Sequence, residues 1–241
     1  MRKLIRADLR RVCRKPSMWI LMAIMIIVQF FDVLTITDEP MEQVLTSARN
    51  RFGLTFMLII TIFIAISVLS NDRNSNSWAY DIGIGIGRRK LIWAKAIVFV
   101  ILMVIFYAVL VPERLFFYAV TSLPLSGRQL SLLVVYAGLQ VIRGVSVLII
   151  DMLVDILTDS TALAILANVA QVVFITLGTR MAALFYNVNI GDYTPDGLVE
   201  NAYNNIAAGR FPWQLIVVLL IYVGAVFAVA AAVFRNKELQ L

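Results

Sequence analysis

Six apolar runs of bilayer length constrain this chain more than any other feature of its sequence. A helix needs about 20 consecutive apolar residues to cross the hydrocarbon core of a membrane. Runs of about that size occur at 18–36, 52–70, 91–111, 130–150, 162–179 and 213–234. Of the 241 residues, 61% are hydrophobic and 15% are charged, whereas soluble domains are about half apolar and a quarter charged. The sequence therefore predicts an all-α membrane protein, with six transmembrane helices in a single domain, 1–241.

Little of the chain lies outside these runs, and this excludes several classes of protein. The longest remaining loop, about 31 residues before Trp213, is too short to bury a core of its own, so we expect no soluble catalytic domain. The chain has one Cys and no His. An internal disulfide, the commonest metal ligand and the commonest general base are therefore absent. We expect neither an enzyme nor a metal site.

The distribution of basic residues predicts the orientation. Fourteen of the 21 Lys and Arg residues lie in the N-terminal arm, in the segment between runs two and three, and in the C-terminal tail, whereas six lie on the other side and Arg143 lies inside run four. Because cytoplasmic flanks carry the excess of Lys and Arg, both termini are predicted to be cytoplasmic. We expect a multi-pass protein of the plasma membrane of a bacterium.

The N-terminal arm, 1–16, has the pattern of an amphipathic helix. Over 2–15, one stripe holds Met1, Ile5, Leu9 and Val12, and the opposite side is basic. Such a helix lies in the membrane interface, and Pro16 should end it before the first span. Anionic lipid headgroups are the expected partner, and nucleic acid is not, because the basic residues follow membrane flanks. The alternative is a charge cluster that only fixes orientation.

The stretch DIGIGIGRRKLIWAK, which begins at Asp81, looks like a phosphate-binding loop but lacks the necessary residues. A Walker loop ends in Gly-Lys followed by a hydroxyl residue, whereas Gly87 is followed by Arg88, Arg89, Lys90 and then Leu. The dinucleotide pattern fails as well, because Arg88 stands where its third glycine belongs. No cofactor is expected on this chain. The segment 71–90 is predicted to be a cytoplasmic connection in which 78–86 forms a small amphipathic piece, or an ordinary polar connector.

The layout resembles the permease subunits of type 2 ABC exporters. Those subunits have six spans, an interfacial N-terminal elbow helix and, after span two, an acidic residue, a short helix, a Gly-x-x-Arg-like turn and a Lys that enters span three. The matching positions here are Asp72, 78–86, Gly87 with Arg89, and Lys95. The long loop between spans five and six and the ending AAAVFRNKEL are similar to that family too.

The resemblance implies a transport subunit that does not hydrolyse ATP itself. Two copies of a separate ATPase would bind ATP and Mg²⁺, and a second permease subunit, identical or related, would complete the pore. The segment after span two would couple to the ATPase. Its coupling residues would be Trp78 and Tyr80 as apolar anchors, with the charges of Asp72, Asp81, Arg88 and Arg89.

The resemblance also affects the interpretation of the outer loop, 180–212. Its residues alternate between apolar segments and Gly, Asn, Asp and Pro turns, and polar backbone at membrane depth must be shielded by protein or face a watery cavity. Two short helices, 181–185 and 198–208, could dip back as a re-entrant hairpin, which the family has. A surface loop is the alternative.

Two charges near or within the spans are candidate substrate-path residues, Asp32 and Arg143. A lone charge at the centre of a bilayer costs about 2.5–3.5 kcal/mol on insertion scales, so Arg143 needs a partner or water. Asp32 and Asp151 are the acids considered as its partners. The alternative to a substrate-path role is a structural ion pair or a water-facing site.

Three acids recur every fourth residue after run four, at Asp151, Asp155 and Asp159. This spacing puts them on one face of a helix. A row of carboxylates does not surround a cation as a binding site must. We therefore expect a solvated face, or a surface that receives the ATPase or the basic arm, in preference to a metal or sodium site.

The expected cargo is amphipathic or hydrophobic, such as an antimicrobial peptide, a drug or a lipid-like molecule, because the chain lacks a large outer domain and its spans have few convergent polar groups. An ATP-coupled exporter of sodium or another ion remains open. A stand-alone secondary transporter or channel is a further alternative. It would show an inverted repeat or carboxylates near the membrane midplane, and neither is evident in the sequence.

Overall fold

Helices make up almost all of the described chain. A computed structural model of the protein describes residues 1–35, 41–70, 72, 77–121, 126–186 and 190–237. No strand occurs in these ranges. The α-helices run Arg2–Cys13, Pro16–Thr35, Met41–Asn50, Met57–Ala65, Ser77–Gly83, Arg88–Val120, Gly127–Thr158, Thr161–Val169, Ile175–Tyr186, Pro195–Ala207 and Trp213–Asn236, with π-helical turns at Arg51–Phe56, Ile66–Ser70 and Ala170–Phe174 and a 3-10 turn at Gly191–Tyr193.

Within the described ranges, six helical segments are long and apolar enough to cross a membrane, in agreement with the sequence. Numbered as spans 1 to 6 in chain order, they are Pro16–Thr35, Thr46–Ser70, Arg88–Val120, Gly127–Thr158, Thr161–Phe185 and Trp213–Asn236. A helix satisfies its backbone hydrogen bonds internally, as apolar surroundings require. The molecule is thus a helical, multi-pass membrane protein.

Spans 3 and 4 are longer than the sequence predicted. The sequence predicts span 3 over 91–111, but the helix continues through Pro112 to Val120. Proline removes a single N–H donor, and the next turn is held by Arg114, which is fully buried and paired with Asp32. Span 4 begins at Gly127 with a capping box between Ser126 and Gln129.

Span 4 is the centre of the bundle, and spans 2, 3, 5 and 6 pack against it. Span 1 packs on span 3. The core between spans is apolar, with Phe56, Phe99, Phe106, Leu148 and Met152 completely or almost completely buried. Spans 5 and 6 are the least buried of the six, so their apolar surfaces face outward from the chain.

Three shorter helices complete the fold. The N-terminal helix, Arg2–Cys13, packs on span 3 through its apolar side, and Pro16 begins the next helix, as predicted. The connecting helix, Ser77–Gly83, lies between spans 2 and 3. Both are at the end of the bundle that also carries the end of span 6, which we call the terminal end. Of the predicted segment 71–90, residues 71 and 73–76 lie outside the described part.

The third short helix, Pro195–Ala207, is called the return helix because it runs antiparallel to span 4. Its first turn lies beside Arg143 in the middle of span 4, and its last carbonyl accepts a hydrogen bond from Arg128 at the start of that span. Residues 181–185 do not form a separate short helix as predicted. They continue the last helix of span 5, Ile175–Tyr186. Residues 187–189 of the predicted loop lie outside the described part.

Candidate functional site

Asp72 is the centre of a cluster of charges at the terminal end. Its side chain is buried, and its Oδ1 atom accepts a hydrogen bond from Nη2 of Arg11 at 2.8 Å. Its Oδ2 atom lies 2.6 Å from Nζ of Lys95 and accepts from the indole N–H of Trp78 at 3.0 Å. A residue predicted as a coupling charge therefore joins three helical segments inside the molecule.

Asp8 of the N-terminal helix completes this cluster. Its two carboxyl oxygens lie 2.5 Å from Nζ of Lys95 and 3.0 Å from Nη2 of Arg11. Two acids and two bases alternate, so each charge is compensated, as buried charges must be. The sequence offered no sign of this pairing beyond the isolated acid among the basic residues of the arm. The result is an ionic connection between the N-terminal helix, Asp72 and span 3.

Trp78 and Arg88 also point into the molecule. The Trp78 ring meets Phe234 of span 6 edge to face, with 4.9 Å between centroids. Arg88 Nη1 donates hydrogen bonds to the backbone carbonyls of Phe234, Arg235 and Lys237, at 3.2, 2.9 and 2.5 Å. The last carbonyls of a helix lack intrahelical partners and carry a partial negative charge, so Arg88 caps span 6.

The outward side of the same segment is formed by other residues. Tyr80 is 68% exposed, Ile84 is 59% exposed, and Arg89 is on the surface. Gly85 makes the turn toward span 3 with a φ of 89°, which glycine adopts without strain. Partial burial raises the pKa of the Asp81 carboxyl, against the opposing effect of Lys95. Of the six predicted coupling residues, the structure thus turns three inward and leaves Tyr80 and Arg89 exposed, with Asp81 between.

Asp32 lies at the opposite end and is held in a closed set of contacts. Its Oδ2 atom is 2.7 Å from Nη1 of Arg114, and its Oδ1 atom is 3.2 Å from Nε of Arg51. Ser47 donates to the same carboxylate, and Arg114 donates to the Tyr118 hydroxyl at 2.7 Å. Asp32 thus forms a structural ion-pair network and does not approach Arg143.

Arg143 pairs with an acid that the sequence analysis did not consider. Its Nη1 atom lies 2.7 Å from Oδ1 of Asp196, at the start of the return helix, and 2.9 Å from the backbone carbonyl of Gly53. Neither of the predicted partners is involved, because Asp32 is bound by arginines and Asp151 contacts Asn168. Asp196 is distant in sequence, and only the path of the loop brings it to mid-span.

The rest of the return helix contacts the bundle through the same face as Asp196. Glu200 lies 2.9 Å from Nη1 of Arg49, and Tyr203 stacks edge to face on Tyr136 at 5.2 Å while Arg49 sits 4.8 Å above its ring. Asp196, Glu200 and Tyr203 are spaced four and three residues apart, which places them on one side of a helix. That spacing is visible in the sequence and could have indicated a docked helix.

The acidic stripe is not a solvated face, so that prediction was wrong. Asp151 and Asp155 are buried, because span 4 continues to Thr158 and packs against span 5 along their side. Asn168 donates to Asp151 at 2.5 Å, and Thr161 donates to Asp155 at 2.9 Å. Only Asp159 reaches the surface, where it pairs with Lys237 at 2.5 Å.

In the described ranges, no three Cys, Asp or Glu side chains converge as a metal site would require. Comparison with known proteins does not identify the chain. No family model matches it, and no curated protein is significantly similar to it. The fold and its buried pairs define the class, a six-span helical membrane protein. A more specific function has to be inferred from the residues at the two ends of the bundle.

Proposed function

We propose that this chain is the transmembrane permease subunit of an ATP-driven ABC exporter. It would act with a second permease subunit and with two copies of a separate ATPase that binds ATP and Mg²⁺. The observation that carries the proposal is the connecting helix, Ser77–Gly83, which leaves the bundle between spans 2 and 3. One side of this helix is bound to the molecule, and the other presents an exposed aromatic and a basic residue.

The two sides of the connecting helix suit different tasks. Aromatic and Arg side chains dominate the energetics of protein interfaces, so exposed Tyr80 and Arg89, with Ile84 between them, would contact the ATPase. Asp72, Trp78 and Arg88 would then not touch the ATPase. They would link its movement to the N-terminal helix, span 3 and span 6, through the contacts that each of them makes.

The proposal also assigns roles to the N-terminal helix and the return helix. The N-terminal helix would lie in the cytoplasmic interface as an elbow, because its apolar Ile5 and Leu9 pack inward and its exposed side carries Arg2, Arg6 and Arg10. The return helix would be a re-entrant element, since it starts beside Arg143 at mid-span. Both termini would be cytoplasmic, in the plasma membrane of a bacterium.

The cargo would be amphipathic or hydrophobic, in the class of antimicrobial peptides, drugs and lipid-like molecules. The candidate substrate-path residues support this choice, because Asp32 and Arg143 are bound to charges of the same chain. What remains for a cargo is mainly apolar surface. The outward apolar faces of spans 5 and 6 would meet lipid or the second permease subunit.

The proposal is tested by the ATPase activity of the assembled complex. The chain is purified with its copurifying ATPase, reconstituted in nanodiscs, and assayed for hydrolysis stimulated by an amphipathic peptide. Tyr80→Ala should abolish the stimulation and reduce copurification. Phe211→Ala removes a residue that is 74% exposed just before span 6 begins, at the opposite end, so it is the matched control and should leave both unchanged. Transport by the chain alone, without an ATPase, would instead favour the stand-alone transporter.

Sidedness is tested separately with the same two positions. Cys13 is the one cysteine of the chain, so Cys13→Ser provides a background without thiols. In intact cells, an impermeant maleimide should label Phe211→Cys, whereas Tyr80→Cys should react only after the membrane is opened. The reverse pattern would place the connecting helix outside the cell and rule out coupling to a cytoplasmic ATPase.

A further inference from the structure

A carboxyl group is completely buried where spans 2, 4 and 5 meet. Asp151 lies on span 4, two turns before that helix ends at Thr158, and is shielded from solvent. Its Oδ2 atom is 2.5 Å from the side-chain amide of Asn168 on span 5. Its Oδ1 atom is buried as well and has no hydrogen-bond partner among the described residues.

No basic side chain of the described ranges forms an ion pair with Asp151. The neighbours from spans 2 and 5, Thr61 and Asn168, are uncharged and completely buried. Several basic residues of span 4 and of the elements packed on it are held in other contacts. Arg143 pairs with Asp196, Lys95 with Asp8 and Asp72, and Lys237 with Asp159, and Arg128 donates to the carbonyl of Ala207.

The other titratable groups around span 4 supply no positive charge either. Asp155 is one turn further along the same helix and accepts a hydrogen bond from Thr161. The acidic and phenolic groups of span 4 and of adjacent elements include Tyr136 of span 4, Tyr107 and Glu113 of span 3, Tyr222 of span 6, and Asp196 and Glu200 of the return helix. A carboxylate in such surroundings is strongly unfavourable, and a buried acid of this kind is neutralised by keeping its proton.

The hydrogen bonds around Asp151 fit a protonated acid. Oδ2 of Asp151 is in hydrogen-bond contact with the side-chain amide of Asn168, and a protonated carboxyl can donate at such a contact whereas a carboxylate can only accept. The oxygen and nitrogen of an Asn side chain are interchangeable in shape, and the network decides which faces which partner. With the Asn168 oxygen toward Asp151, the acid proton is donated to Asn168.

The same orientation satisfies the next group in the chain. The Asn168 amide N–H then donates to the Thr61 hydroxyl, 3.2 Å away, and that hydroxyl donates to the backbone carbonyl of Met57 at 2.8 Å. Spans 4, 5 and 2 are then connected in one direction, from Asp151 through Asn168 to Thr61. A deprotonated Asp151 has no proton to donate to Asn168, so this series of hydrogen bonds requires the protonated acid.

We propose that Asp151 is a proton-binding site in the membrane bundle, occupied while spans 2, 4 and 5 are packed together, with Asn168 and Thr61 completing its hydrogen bonds. Release requires water. When the spans part, the carboxyl O–H bond breaks, the electron pair stays on the carboxylate, and the proton leaves to the water that has entered. Repacking takes the proton up again, so the site couples proton binding to the separation of these spans.

The test is infrared difference spectroscopy of the purified full-length chain in lipid nanodiscs at neutral pH. The spectrum of the wild type minus that of Asp151→Asn should contain the carbonyl stretch of a protonated carboxyl. Asp155→Asn, one turn away, is the control and should keep this band. In Asn168→Ala the band should shift, because its hydrogen-bond partner is gone. Absence of the band would overturn the proposal.

Thermal stability gives a second readout. Asparagine has the shape of the neutral acid, so Asp151→Asn should fold. The melting temperature of the wild type should fall relative to that of Asp151→Asn as the pH is raised from about 5 to about 9. An unfolded Asp151→Asn would contradict the proposal, as would stabilisation by sodium chloride over choline chloride that this variant abolishes, which would indicate a cation site. No readout depends on an ATPase, so the result is independent of the proposed function.

Discussion

Arg143 and Asp196 join the middle of span 4 to the first turn of the return helix, with 2.7 Å between Nη1 and Oδ1. The arginine is 5% exposed in its side chain and the aspartate 39%. The two partners therefore differ in what their removal leaves behind. Without the acid, a buried guanidinium remains, whereas without the arginine a half-exposed carboxylate remains that water can solvate.

Asp196→Asn should lower the free energy of unfolding by about 1.5–3 kcal/mol, the usual range for a hydrogen bond to a charged group. Thermal melting in detergent measures the effect. Asp192→Asn changes an exposed acid just before the return helix and is the matched control. It should melt close to the wild type. Equal melting temperatures for the two variants would show that the pair does not hold the return helix.

How much of this arrangement the sequence could predict depends on the range of the interaction. The spans are encoded locally in runs of apolar residues, and the N-terminal helix is encoded in a repeating stripe, so both could be predicted. The last turns of span 3 could not be predicted, because they are held by the ion pair of Arg114 with Asp32, which are far apart in the chain.

The candidate site shows the same limit. The acid Asp72 and the residues Trp78 and Arg88 could be selected from the segment between spans 2 and 3, but their inward contacts with Arg11 and Phe234 are long-range. Asp151 was assigned to a solvated face, because nothing in its neighbours along the chain predicts that span 5 covers it. Spacing identifies a face of a helix, whereas the identity of what packs on that face is not local information.

Lys95→Met should destabilise the terminal end more than any single change on the surface. It leaves the carboxylates of Asp8 and Asp72 sharing Arg11 alone, and loss of one partner from a buried ionic cluster costs about 3–5 kcal/mol. Lys90→Met, on the exposed start of the same span, is the control and should be nearly neutral. Melting of both variants in nanodiscs compares them. Similar stabilities would mean that the cluster contributes little.

Gly53→Ala and Gly138→Ala should have opposite effects. A Cβ atom on Gly53 would stand 2.5 Å from the Tyr136 hydroxyl, which is buried between spans, whereas nothing lies within 4 Å of a Cβ on Gly138. Overpacking costs about 1–3 kcal/mol, and replacing glycine inside a helix gains about 0.5–1 kcal/mol. Unfolding by detergent titration gives both values. A neutral Gly53→Ala would show that spans 2 and 4 can separate here without cost.

Cys13 should react slowly with maleimide at neutral pH. Burial raises the pKa of its thiol, and only the thiolate is nucleophilic. The rate should therefore keep rising above about pH 8.5, where an ordinary thiol is already half ionised. Stopped-flow alkylation across pH gives the profile, and the same chain unfolded in urea provides the reference. A folded rate equal to the unfolded rate at every pH would contradict the burial of Cys13.

Arg88 holds the last turn of span 6 to the start of span 3, and Asp72 holds the N-terminal helix to the same region. The first and last helices of the chain are thus anchored to one small part of the protein. A fluorescent donor at Arg2 and an acceptor at Lys237 should keep a constant separation if the far end of the bundle opens and closes, as the proposed function requires. The distance between these two labels would serve as an internal reference for other distances measured in the protein.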